Sequence, residues 1–167
     1  MQRRTFMTLA LGSAVYIGSA PLFGKAFAAD TTGDAKFEVL KKTKVEWKKI
    51  LTNEQYHILR EEGTEAPFTS ALLKEHREGT FHCAGCDLPL FKSNTKYDSG
   101  TGWPSFFDGI KGHIGTKTDN ALFMQRTEYH CAKCKGHHGH VFDDGPKPTG
   151  LRYCSNGAVL KFIAKDA

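Results

Sequence analysis

Two short cysteine pairs, CAGC at residues 83 to 86 and CAKC at residues 131 to 134, constrain this chain more than any other feature. A C-x-x-C turn presents two sulfurs about one ion apart, and two such turns complete a tetrahedron of thiolates that suits zinc. Cys83, Cys86, Cys131 and Cys134 are therefore expected to hold one structural zinc ion and to tie two distant stretches of chain together. Four thiolates leave no open coordination position, so such an ion has no catalytic role. The competing reading is redox-active or disulfide-forming pairs, which suit an exported protein. Two pairs in one small domain favour the metal.

A fifth cysteine, Cys154 in GLRYCSNGAVLKF, belongs to neither pair. A free buried thiol serves as a small hydrophobe. In an oxidising compartment, however, an unpaired thiol invites oxidation, so its presence there suggests use. A nucleophilic cysteine needs a neighbour that favours thiolate and an acid or base close by. KGHHGHVF supplies three histidines, of which His137 and His140 are spaced to project to one side of a turn; metal ligation is the other use of such a cluster. In SGTGWPSFF, Gly100 and Gly102 allow close backbone approach and Pro104 stiffens the chain after the tryptophan. Trp103 is thus expected on a defined loop, either as a core ring or facing a ligand.

With 167 residues, 40% hydrophobic and 25% charged, the chain can bury a core without disulfides, as one compact domain plus a tail. The tail is the N-terminus. MQRRTFMTLALGSAVYIGSAPLFGKAFAAD carries paired arginines, a mildly apolar stretch broken by Gly and Pro, and the small-residue pattern Ala26-Phe27-Ala28. It reads as an export signal over 1–28, cleaved before Ala29 and too rich in Gly, Ser and Pro for a good membrane span. Arg3 and Arg4 resemble a twin-arginine motif, with Gln2 where Ser or Thr is usual. The expected location is the periplasm or another exported compartment, with no stable membrane insertion after cleavage. The chain has 23 basic and 18 acidic residues, +5. Cleavage takes three basic residues and no acidic one, leaving +2, and apart from KKTKVEWKK at 41–49 no basic run remains to grip nucleic acid. That run reads as a solvated lead-in, with a linker over 29–45 and the domain over 46–167.

Thr52-Asn53-Glu54-Gln55 fits a capping box and starts a helix expected over 53–62, ending at Gly63. A second short helix is expected over SALLKEHR. From Gly79 onward, short apolar or β-branched runs alternate with turn residues: TFHC, PLFK, HIGTK, ALFMQRTEYHC, HVF, GLRYC and AVLKFI. The fold class is mainly β: a small antiparallel domain with short N-terminal helices.

HCAGCDLPLF, SGTGWPSF, CAKCKGHHGHVFDDGP and TGLRYCSNGAVLKF, in that order, resemble the signature blocks of methionine-R-sulfoxide reductases, the MsrB family. The likeness runs from about Trp47 to Phe162. It implies a fold of two antiparallel sheets, Cys154 as catalytic nucleophile, His137 and His140 lining the pocket, Asn156 as a polar partner, and Trp103 packing on the substrate methyl. The four paired cysteines match the structural zinc site of many members. The implied activity is reduction of methionine R-sulfoxide, free or in proteins, through a Cys154 sulfenic acid.

Many relatives carry a second, recycling cysteine where this chain has Thr101. The sulfenic acid is then expected to be reduced from outside, by a thioredoxin-like protein or a small thiol, on a monomeric enzyme. His138 stands where Leu is usual and Gly157 where Ser is usual, both beside the expected pocket. A zinc-ribbon binding module or a thiol-disulfide oxidoreductase would explain the C-x-x-C pairs, but neither uses all four blocks.

Overall fold

The computed structural model describes residues 37–120 and 125–166. The expected export signal lies outside the described residues. Two helices, α1 (Lys44–Ile50) and α2 (Asn53–Glu61), precede nine strands. These are β1 (Gly79–Cys83), β2 (Pro89–Lys92), β3 (Lys96–Tyr97), β4 (Ser105–Phe106), β5 (Ile114–Asp119), β6 (Arg126–Cys131), β7 (His137–Phe142), β8 (Arg152–Ser155) and β9 (Leu160–Ala164). Among the described residues no helix is long and apolar enough to cross a membrane.

Both helices start on reciprocal caps. Thr52 Oγ1 accepts from the Gln55 amide at 3.1 Å while Gln55 Oε1 accepts from the Thr52 amide at 3.2 Å. Thr43 and Glu46 make the same exchange at α1. This second box corrects the reading of 41–49 as a solvated lead-in. The lysines of α1 do face solvent, but Trp47 is 3% exposed, and Arg60 lies 4.9 Å over its ring. The fold also begins before the expected boundary, since the Leu40 amide donates to the Lys133 carbonyl at 2.8 Å. SALLKEHR forms only a 3-10 turn over Ala71–Lys74, where Ser70 Oγ accepts from the Leu72 amide.

The strands make two antiparallel sheets: β2-β1-β9, and a six-stranded β3-β4-β8-β7-β6-β5. They pack through aromatic rings contributed by several of the strands. Phe81 and Phe91 of the small sheet meet Phe106, stacked 4.1 Å from Phe91, and Phe91 also meets Tyr129 and Tyr153. With Tyr153 committed to this core, Cys154 must face the other side of its sheet. A row of cross-strand partners crosses that second face: Ser105, Cys154, His140, Glu128 and Lys117, one from each of β4, β8, β7, β6 and β5. Helix α2 packs against β7.

Candidate active site

His137 and His140 lie three apart on β7, not on the expected turn. In a regular strand an odd spacing puts side chains on opposite faces. The pairing of β6 with β7 skips a residue here: Tyr129 opposes Gly139, while His130 opposes His137. This bulge re-aims His137 onto the face of His140, with ring centroids 5.5 Å apart. Gly139 makes it possible, with φ +152°, because a Cβ there would lie 1.9 Å from the Cys154 carbonyl oxygen. A glycine inside a strand segment is the sequence signal for such a bulge.

A carboxylate lies beside each imidazole, hydrogen-bonded to His140 and in ion-pair distance of His137. His140 Nε2 is 2.8 Å from Asp119 Oδ2, which also accepts from Arg126 at 2.6 Å. His137 Nδ1 is 3.3 Å from Glu128 Oε1, and Lys117 Nζ is 3.0 Å from the other oxygen of Glu128. Burial lowers the pKa of His140 against the opposing pull of Asp119, so its resting form near neutrality is the uncharged ring.

Cys154 is half-buried, and burial pushes its thiol up. The positive charge of Arg152 and hydrogen bonds from Thr101 and Arg152 work the other way without cancelling it. Arg152 is two residues before Cys154 on the same strand face, and Asp144 locks it with two bonds of 2.8 Å. The Thr101 hydroxyl continues into a chain with Ser99 Oγ at 2.8 Å, which bonds Ser105 Oγ at 2.7 Å. Thr101 and Arg152, with Tyr97, Asp98, Ser99 and Asp144, wall a cavity of about 400 Å³ beside the cysteine.

Asn156 and Trp103 are brought together by a residue that the sequence reading passed over. Glu65, 6% exposed, gives its backbone N–H to Asn156 Oδ1 at 3.0 Å, and its carbonyl accepts from Trp103 Nε1 at 3.1 Å. Its carboxylate accepts from the Gly157 and Ala158 amides at 2.5 and 2.8 Å. Asn156 Nδ2 donates to the His138 carbonyl at 3.1 Å. Glu65, Asp119 and Glu128 are missed because their partners are remote in sequence; Arg152 was legible from period-two spacing. His138 does not enter the pocket: it is fully buried and stacked 6.1 Å from Tyr129, and desolvation pushes its pKa down to about 3. Gly157 fits Ser70, since a Cβ at 157 would lie 1.9 Å from Ser70 Oγ.

The C-x-x-C segments form two like turns, closed by Asp87 N–H to Cys83 O and Lys135 N–H to Cys131 O, both 2.9 Å. Asp87 and Lys135 take left-handed φ values of 57° and 58°. The four Sγ atoms lie within 4.8 Å of one another. Cys83 to Cys134 is 3.6 Å and Cys86 to Cys131 is 3.5 Å, near the roughly 3.8 Å edge of a tetrahedron with zinc–sulfur bonds of about 2.3 Å. These four thiols are unbonded to one another and could hold a metal ion. Trp47 and Leu59 shelter the cluster at Gly85, and it joins the end of β1 in one sheet to the end of β6 in the other.

A lone cysteine paired across the sheet with one of two clustered histidines, on a β domain that also gathers four thiols, fits the class of thiol-dependent oxidoreductases. The family model described as SelR domain matches residues 51–164. The MsrB peptide methionine sulfoxide reductase of Leptospira interrogans is 57% identical over 122 residues, covering 72% of this chain and 93% of that protein. That of Methanosarcina barkeri is 50% identical over 130 residues, 77% of this chain and 92% of that one. The chloroplastic enzyme B1 of Arabidopsis thaliana is 53% identical, covering 72% of this chain and 60% of that one. Among solved structures, the Mis18 Yippee-like domain is similar with a TM-score of 0.45 at 15% identity, covering 55% of this chain and 100% of that one. The chain belongs to the SelR family, the methionine-R-sulfoxide reductases, and is an enzyme of that family.

Proposed function

We propose that this enzyme reduces methionine R-sulfoxide, free or in proteins, and so repairs oxidised methionine. The observation that carries the reading is the cross-strand pairing of Cys154 with His140, on the face that also holds His137. Sulfoxide sulfur is electrophilic and its oxygen basic, so reduction needs a nucleophile at sulfur and a proton at oxygen. The resting site holds a thiol and a neutral imidazole. His140 or His137 takes the Cys154 proton, directly or through water, and delivers it to the sulfoxide oxygen as the thiolate attacks. Cys154 supplies two electrons, the substrate S–O bond breaks, methionine leaves, and Cys154 becomes a sulfenic acid. Trp103 packs on the methyl and rejects the other epimer by shape, while Asn156 orients the polar end.

Thr101 cannot form a disulfide, and the other cysteines are gathered at the metal cluster. An external thiol therefore attacks the sulfenic acid, water departs, and a second thiol resolves the mixed disulfide. The cavity walled by Thr101 and Arg152 supports an approach of that thiol from its side. The four thiolates hold zinc, which clasps the two sheets. The enzyme acts as a monomer after export to the periplasm, cleaved before Ala29. The test is turnover of separated R and S sulfoxides of blocked methionine with dithiothreitol by the chain from Ala29 onward. Reduction of R alone is expected. No reduction of either, with fold and metal intact, would sink the assignment.

A further inference from the structure

We infer that Glu65 is a positioning residue for the substrate pocket, acting through Asn156 and Trp103; the inference rests on the reductase reading above. Three different groups of this one residue reach three places. The carboxylate binds the Gly157 and Ala158 amides, directly after the segment that carries Cys154. The backbone N–H holds Asn156 Oδ1, and the backbone carbonyl holds the Trp103 indole N–H. Asn156 comes from the β8 end and Trp103 from the loop before β4, so no local contact sets their relative position.

The side-chain amide shows what this achieves. An Asn amide has one acceptor and two donors. Glu65 N–H fixes the acceptor, and one donor goes to the His138 carbonyl. The orientation is thereby determined, with one amide N–H used by neither bond. A flipped amide would set its NH2 group against the Glu65 N–H, donor against donor. The carboxylate anchors the segment that presents these backbone groups, and Phe68 extends the tie by donating its N–H to the Gly102 carbonyl at 2.7 Å. The Phe68 φ of 66° is an uncommon conformation for an aromatic residue, maintained by that attachment.

Glu65→Gln tests this in the full chain with its metal. The amide keeps one acceptor but turns NH2 toward a backbone N–H, loosening the anchor without emptying the space. We expect kcat/KM for the R sulfoxide of blocked methionine to fall by about tenfold to a hundredfold, on the scale of a buried hydrogen bond to a charged acceptor. Alkylation of Cys154 by iodoacetamide should stay within about twofold and the metal content unchanged. The indole N–H resonance of Trp103, assigned by Trp103→Phe, should shift. In an Asn156→Ala background the same substitution should cost less than about threefold, because residues acting as a unit are not additive. Equal losses in both backgrounds, or wild-type turnover by Glu65→Gln, would overturn the inference. If Glu65→Gln loses the metal, the cycle is run with Glu65→Asp, which keeps the charge and shortens the reach, with the same criterion. A parent enzyme that reduces neither epimer would defeat the reductase reading instead.

Discussion

Replacing Gly139 with alanine should separate catalysis from mere folding, because the glycine sits where the bulge of β7 meets the strand that carries Cys154. An added Cβ would stand 1.9 Å from the Cys154 carbonyl oxygen and 3.3 Å from the Tyr129 ring. The nearer of these is backbone, so no flexible side chain is there to yield. Since real Cβ contacts keep at least 3.0 Å, β7 and β8 must part by about 1 Å or the bulge must change register, and misplacement on that scale costs about a hundredfold in rate. A φ of +152° adds conformational strain of about 1–3 kcal/mol and overpacking a similar amount, so about 2–6 kcal/mol of stability is at risk. Urea unfolding of the metal-bound enzyme reads the second quantity. Single-turnover sulfoxide reduction, per folded molecule, reads the first. A Gly139→Ala enzyme within about 0.5 kcal/mol of the parent and with unchanged turnover would refute the claim that this glycine brings His137 to the face of His140.

Two further outcomes are expected from the charges and thiols of the site. Burial raises the Cys154 pKa, so the thiolate fraction and the iodoacetamide alkylation rate should grow as pH rises, with a midpoint above the usual thiol value of about 8.5; Thr101→Val should raise it further and Thr101→Ser restore it, and a midpoint below the usual value would contradict this account. Stripping the metal with a chelator under reducing conditions, or substituting the buried Cys83→Ser, should cost about 3 kcal/mol or more and lower Tm by about 10 °C; an unchanged Tm in a calorimetric scan would show that the clasp does not stabilise the fold.

The helix at 53–61 was legible because its cap is local: Thr52 and Gln55 satisfy each other within one turn. The equivalent box at Thr43 and Glu46 was equally visible, but the surrounding lysines masked Trp47 as a core residue. SALLKEHR has helical composition yet yields one 3-10 turn, since Lys96 Nζ donates to the Leu73 carbonyl and Glu75 turns its carboxylate to the Arg77 amide, taking the chain toward β1 instead.

By itself, the sequence determined the chemistry available here. Two C-x-x-C turns impose their own geometry, Cys154, His137 and His140 stand out as reactive residue types, and the roles of Trp103 and Asn156 come from the family resemblance. What only the tertiary structure decided is how they face one another. The skipped residue opposite Tyr129 turns His137 onto the face of His140, and the register of β7 with β8 sets His140 beside Cys154. Glu65, more than thirty residues before Trp103 and ninety before Asn156, orients both. Hydrogen bonds across such separations depend on chain closure and sheet register, which no short window of sequence encodes.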